Sequence, residues 1–281
     1  MKTSEVIKIG SSLLKERKIQ SFILDSELLL SKTLKKPREK ILTNLDKNLN
    51  NKKILKFKEY LLRRSKNEPV AYILEEKEFW SKKFIVNKDT LIPRPETELL
   101  VEELLKIYSG KKISIMDIGT GSGCIIISLL SVLKYSKGIG VDISKKAIEV
   151  AKNNAFKHKL LNRIKFINRS IDKIFHKKFD LIVSNPPYIK RKDIRNLSDD
   201  IKKFEPRMAL DGGNDGLDLI KKVIYKSNEI LKKNGTLGLE IGSEQIEKVS
   251  KILIKNNYRI KKIIKDYKNN DRCVIATYIN E

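Results

Sequence analysis

From Lys111 onward, short apolar runs of strand length alternate with segments of helical period, a rhythm that few folds accommodate. "ISIMDIG" (Ile113 to Gly119), "GIGVDIS" (Gly138 to Ser144), "IKFIN" (Ile164 to Asn168), "DLIVSN" (Asp180 to Asn185) and "TLGLEIG" (Thr236 to Gly242) read as strands. Cys124 to Leu133, Ala147 to Ala155 and Leu217 to Leu231 read as helices between them. The pattern predicts a parallel sheet with helices on both faces, and such sheets bind ligands beyond the carboxyl ends of their strands. Functional residues are therefore expected at strand ends.

The first of these ends is "DIGTGSG", Asp117 to Gly123. Its glycines let the backbone turn sharply and approach a ligand, and the amides opening the next helix favour an anion. Asp142 ends the following strand roughly twenty residues later, the spacing at which an acid accepts both hydroxyls of a ribose. Taken singly, the loop reads equally as a tight turn and Asp142 as a helix cap. Together they fit a dinucleotide or S-adenosylmethionine. Gly119, Gly121 and Gly123 run on into Cys124 and Ile125 without the further glycine of the dinucleotide fingerprint, and the loop resembles that of class I methyltransferases.

"NPPY", Asn185 to Tyr188, follows the fourth strand. An amide or aromatic amine is a poor nucleophile because its nitrogen lone pair is delocalised. The Asn185 side-chain oxygen and the Pro186 carbonyl can accept hydrogen bonds from both of its N–H groups, which would aim the nitrogen and stabilise the charge that develops on it. Pro186 and Pro187 fix the backbone so that these acceptors stand ready, and Tyr188 is expected to offer a flat wall beside the reacting group. An Asx-Pro turn closing a strand is the purely structural alternative. Two acceptor classes use such a tetrapeptide, namely exocyclic amines of nucleic-acid bases and the side-chain amide of protein glutamine.

Before the alternating region, Val6, Ile9 and Leu13, then Leu24 and Leu28, then Ile54, Phe57 and Leu61 fall at helical spacings and predict a small helical bundle. The β-formers Phe79, Trp80, Phe84, Ile85 and Val86 predict a hairpin leading through Pro93 and Pro95 into the next domain. The net charge of +25 over 281 residues invites a nucleic-acid reading, but the lysines are spread along nearly every segment with no arginine-rich stripe, as solvated surface charge would be. No apolar stretch approaches bilayer length, and the two cysteines, Cys124 and Cys273, and two histidines, His158 and His176, lack metal-ligand spacing. A cytoplasmic chain without a metal site is expected. Asp117 and Glu240 read either as loop braces or as cofactor-facing acids, Cys124 as small apolar packing, and Arg94 as a surface partner of Glu96 or Glu98, a contact usually worth less than about 1 kcal/mol.

"RRSKNEPVAYILEEKEFWSKKFIVNKDTLIPRPETELLVEELL" (Arg63 to Leu105), "DIGTGSG", "VSNPPYI", "EPRMALDGGNDGLDLI" (Glu205 to Ile220) and "LEIGSEQ" (Leu239 to Gln245) together resemble the bacterial peptide chain release factor glutamine methyltransferases, in matching order from about Ser21 to the C-terminus. The resemblance implies an α/β fold: a Rossmann-like, seven-stranded class I methyltransferase domain over 99–281, preceded by a helical substrate-recognition domain over 1–75 and a β-hairpin linker over 76–98. It implies methyl transfer from S-adenosyl-L-methionine to the side-chain nitrogen of the glutamine in the Gly-Gly-Gln motif of class 1 release factors, by a monomer with no direct nucleic-acid binding. Gly119, Thr120, Gly121, Ser122, Gly123, Asp142, Ser170 and Asn185 would contact the cofactor, and Asn185, Pro186, Pro187 and Tyr188 would clasp the glutamine, with Asn185, Pro186 and Tyr188 catalytic. Pro93 to Glu98 and Glu205 to Leu210 would shape the mouth of the site. One position departs from the family, which commonly places an acid and an aromatic beside the adenine where this chain has Arg169 and Ser170, with Asp172 displaced. A glutamine methyltransferase for a ribosomal protein, an adenine-N6 DNA methyltransferase and a non-catalytic cofactor sensor are the competing readings. The DNA enzyme would need a base-reading segment and base flipping.

Overall fold

The computed structural model describes residues 1–173 and 178–279, so His176 lies outside the described residues. By internal contacts the chain divides into Met1–Glu76 with Ser198–Phe204, and Lys77–Leu197 with Glu205–Glu281.

The first unit holds α1 (Thr3–Glu16), α2 (Phe22–Leu34), α3 (Arg38–Leu42), α4 (Asn51–Ser65), α5 (Val70–Leu74) and, from the later segment, α9 (Asp199–Phe204). Ile54, Phe57 and Leu61 are buried as their spacing predicts, but Ile9 and Leu24 face outward. The reason lies in close approach and charge. A Cβ at Gly10 would stand 2.5 Å from Ser26 Oγ and 2.7 Å from the Phe57 ring, so α1 turns its glycine, with Val6 and Leu14, toward its neighbours. Likewise α2 turns Asp25 and Ser26 inward, and the buried Asp25 carboxylate accepts from Arg64 Nε at 2.6 Å. A pattern of apolar residues alone cannot reveal a helix face built around a glycine and an ion pair.

In the second unit, β1 (Glu76–Phe79) and β2 (Lys82–Ile85) form the expected hairpin. Trp80 and Ser81 make its turn, at φ 51° and 52°, where a strand position was expected for Trp80. Both central residues being left-handed matches the twist of the flanking strands. The turn is held from outside: Glu98 Oε1 accepts from the Trp80 N–H at 2.8 Å.

The remaining strands are β3 (Ser114–Ile118), β4 (Lys137–Asp142), β5 (Ile164–Asn168), β6 (Phe179–Ser184), β7 (Leu231–Glu240), β8 (Tyr258–Lys265) and β9 (Asp271–Tyr278), in the order β5-β4-β3-β6-β7-β9-β8. Seven strands are present, but β9 runs antiparallel to both β7 and β8, so the sheet is mixed. Alternate residues of the central strands feed two cores. Ile115, Leu181 and Val183 pack with α6 (Pro95–Tyr108), α7 (Cys124–Val132) and α8 (Lys145–Lys157). Met116 and Ile182 pack with α10 (Asp218–Ile230) and α11 (Ile246–Lys255) on the opposite face. The chain winds outward from β3 through β4 to β5 and then returns to the other flank of β3 with β6, which makes the β3/β6 boundary the switch point where such sheets open a crevice. Ile118 registers with Ser184 there, so the glycine loop and the NPPY segment leave the sheet side by side.

Candidate active site

A cavity of about 620 Å³ opens at that switch point, within the size range of small-molecule sites. The glycine loop forms one wall. Gly119, Gly121 and Gly123 have φ of 73°, 54° and 81°, and the amides of Gly119 and Thr120 donate to the Val141 carbonyl at 2.8 and 3.0 Å, stitching the loop to the end of β4. That stitch delivers Asp142. Its Oδ2 accepts from the Gly121 N–H and its Oδ1 from the Ser144 N–H, both at 2.9 Å, so each carboxylate oxygen is oriented and keeps lone-pair capacity for a diol. Burial raises the Asp142 pKa against the pull of these amides. Beneath the loop, Asp117 accepts from Thr120 Oγ1 at 2.7 Å, and burial pushes its carboxyl up to about 7 against the pull of Thr120 and the Ile126 amide. Asn154, fully buried in α8, donates to the Ser122 and Ile85 carbonyls at 2.9 Å and accepts from the Ile85 N–H at 2.7 Å, tying the loop to the hairpin.

NPPY forms the other wall. Asn185, Pro186 and Pro187 line the cavity, and Asn185 Nδ2 donates to Thr97 Oγ1 at 3.2 Å. The Thr97 hydroxyl in turn donates to Glu240 Oε2 at 2.5 Å. Glu240 is buried, which pushes its carboxyl up to about 7, and its second oxygen accepts from the Tyr188 hydroxyl at 3.4 Å. Tyr188 therefore does not supply the expected wall. It is absent from the cavity lining, its side chain packs on the α10/α11 core, and burial raises its hydroxyl pKa. The ring is held there by its packing and by the bond of its hydroxyl to the buried Glu240, while the Tyr188 carbonyl accepts from Gln245 Nε2 at 2.9 Å. Gly123 also lies off the cavity, capping α7 against Ala151, whereas Gly119, Thr120, Gly121, Ser122, Asp142 and Ser170 line it. Ser170 Oγ donates to Asp172 Oδ2 at 3.3 Å, and Arg169 stands beside it on the cavity wall.

The loop Asp211–Gly216 presses on NPPY from behind. Gly212 N–H donates to the Ile189 carbonyl at 2.9 Å, and a Cβ at Gly212 would stand 2.8 Å from the Pro187 and Gly216 carbonyl oxygens, all backbone atoms that cannot rotate aside. Gly212→Ala therefore displaces the acceptor turn, and since misplacement of about 1 Å can cost a hundredfold in rate, a fall in kcat of at least about tenfold is expected, measured alongside an unaltered cofactor dissociation constant. Near the mouth, Arg94 does not join a surface pair with Glu96 or Glu98. Its Nη2 donates to Glu205 Oε1 at 2.6 Å, and Glu205, with a side chain only 1% exposed, also accepts from the Ile92 N–H at 3.2 Å. A carboxylate this deep needs both donors, which fixes the two segments of the mouth to each other. Cys124 behaves as apolar packing, its thiol pushed up to about 12 by burial. Among the described residues no cluster suits a metal ion and no helix is long and apolar enough to cross a membrane.

Thr97 falls within the stretch expected to shape the mouth, and Gly212 and Gln245 within stretches that carry the resemblance, but their bonds to the NPPY segment were not legible; Asn154 was not singled out at all, since an asparagine on an amphipathic face carries no local signal. Comparison with known proteins bears on the whole arrangement. Residues 5–74 match the PrmC N-terminal domain, and residues 109–275 match a methyltransferase domain. The release factor glutamine methyltransferase of Clostridium acetobutylicum is 39% identical over 241 residues, covering 83% of this chain and 83% of that protein. A bifunctional methyltransferase of Rickettsia conorii is 36% identical over 99% of this chain but 56% of its own length, so the chain spans about half of such relatives. The solved methyltransferase from Pyrococcus furiosus superposes with a TM-score of 0.54 at 17% identity, over 70% of this chain and 89% of that one, a likeness of fold alone.

Proposed function

Because the chain belongs to the family of release factor glutamine methyltransferases, we propose that it transfers the methyl group of S-adenosylmethionine to the side-chain amide nitrogen of the glutamine in the Gly-Gly-Gln motif of class 1 release factors. The observation that carries this reading is the adjacency of Asp142 with its glycine loop and Asn185 with Pro186 around one cavity. When bound, S-adenosylmethionine supplies an electrophilic methyl carbon on a sulfonium centre. Asp142 would accept the two ribose hydroxyls, and the glycine loop would hold the methionine and ribose portion. Ser170, with its backbone, would border the adenine.

On the facing wall, Asn185 Oδ1 and the Pro186 carbonyl accept one N–H each from the glutamine amide. Two acceptors hold the amide plane and aim the nitrogen, and they would stabilise the positive charge that develops on it during methylation. One of the held N–H protons is then released to solvent water, leaving a neutral secondary amide. Pro187 shapes the turn and Tyr188 braces it from below. Residues 1–75 serve as the substrate-recognition domain, 76–98 as the linker and 99–281 as the methyltransferase domain. The enzyme works as a cytoplasmic monomer, and its positive charge is surface solvation with no direct nucleic-acid binding.

The test is intact-mass spectrometry after incubation with S-adenosylmethionine and, in separate arms, a class 1 release factor, a large-subunit ribosomal protein and duplex DNA. A gain of one methyl on the release factor, lost when the glutamine of its Gly-Gly-Gln motif is changed to alanine, is the expected result. Methylation of either other arm instead overturns the assignment.

A further inference from the structure

Resting on that reading of Asn185, we infer that Thr97 is a positioning residue that fixes which end of the Asn185 amide faces the acceptor, and thereby lets the site tell glutamine from glutamate. The oxygen and nitrogen ends of an asparagine side chain have nearly the same shape, so hydrogen-bond partners alone decide its orientation. Here the decision is made two residues away. Glu240 is buried and, in its ionised form, accepts from Thr97 Oγ1 on one oxygen and from the Tyr188 hydroxyl on the other, which commits the Thr97 proton. The Thr97 oxygen is left with lone pairs only, and it takes Asn185 Nδ2 at 3.2 Å. Oδ1 is consequently the end offered to the cavity that Asn185 and Thr97 both line. Thr97 is 1% exposed and Glu240 also 1%, so water does not compete for these bonds.

The consequence is chemical selectivity. Two acceptors, Asn185 Oδ1 and the Pro186 carbonyl, welcome the NH₂ of glutamine and repel the two oxygens of glutamate, because a site built to accept hydrogen bonds leaves its groups unpaired against an analogue without donors. Without the Thr97 hydroxyl, Asn185 can rotate and present Nδ2, which suits a carboxylate. Thr97→Val keeps the shape and removes only the hydroxyl, while Thr97→Ser keeps the hydroxyl.

The experiment measures kcat and KM for wild type, Thr97→Val and Thr97→Ser on a release factor, and the dissociation constants of that factor with glutamine or glutamate in its Gly-Gly-Gln motif. For Thr97→Val, kcat falls by about tenfold or more, the affinity ratio of glutamine to glutamate factor shrinks by about tenfold, and the cofactor dissociation constant moves by less than about twofold. Thr97→Ser recovers most of both kcat and the ratio. A Thr97→Val enzyme with the wild-type ratio, or a Thr97→Ser enzyme as impaired as Thr97→Val, overturns the inference. Failure of wild type itself to methylate the factor sinks the function reading instead, so the two failures are distinguishable.

Discussion

Asn185→Ala is expected to lower the single-turnover rate of methyl transfer by about 10²–10³-fold, the loss seen when one preorganised hydrogen-bonding group facing a developing charge is removed. The geometry argues for an effect concentrated in the chemical step. Asn185 follows β6, and its Nδ2 bond runs to Thr97, away from the glycine loop that Asp142 organises. Removing the side chain therefore leaves the Gly121 and Ser144 bonds to Asp142 in place. Asn185 also stands among the expected cofactor contacts, so the cofactor dissociation constant should rise only slightly by calorimetry, far less than the rate falls, because its side chain shares no hydrogen-bond partner with Asp142. The carbonyl of Pro186 persists in the variant and still orients one N–H, which is why residual transfer above the uncatalysed rate is expected. A rate close to wild type would remove the clasp from the mechanism.

The site and the fold were not equally legible in the sequence. Strands β3 and β6, at the centre of the sheet, carry near-continuous apolar runs because both faces are covered there, and such runs stand out, while β4, β5 and the second half of β7 show shorter runs. The pair β8 and β9 gave no such signal: β8, "YRIKKIIK", is an edge strand with exposed lysines, and its partner reverses the direction that the alternation implies. Residues at strand ends were legible for a topological reason, since the order β4-β3-β6 forces Gly119, Asp142 and Asn185 to emerge on one rim. What orients them was not. Thr97 reaches Asn185 across 88 positions and Glu240 across 143, and Glu205 meets Arg94 across 111, and no local pattern encodes separations of that size. Tyr188 shows the converse, a residue whose neighbours suggested the cavity but whose ring packs on the core with its hydroxyl on Glu240, 52 positions away.

Asp142→Ala is expected to weaken S-adenosylmethionine binding by at least about a hundredfold, because two hydrogen bonds to a charged acceptor contribute about 1.5–3 kcal/mol each. A second loss adds to the first. The Gly121 N–H donates to Asp142 Oδ2, and without that acceptor the middle of the glycine loop has no side chain holding it at φ 54°. Asp142→Asn separates the two contributions. An amide retains one acceptor oxygen but replaces the other with a donor that faces either the Gly121 or the Ser144 N–H, so one of these bonds becomes a clash. It should therefore bind more weakly than wild type and no better than about tenfold above Asp142→Ala, with each variant measured by calorimetry at the same pH. Burial already raises the Asp142 pKa, so acidification acts in the same direction as the substitution: protonation converts one acceptor oxygen into a donor, and affinity falls as pH drops through that raised pKa. Asp142→Ala has no such titration, and its pH profile should lack that loss. A dissociation constant unchanged in both variants would take Asp142 out of the binding site, leaving its two amide bonds as a helix-capping feature alone.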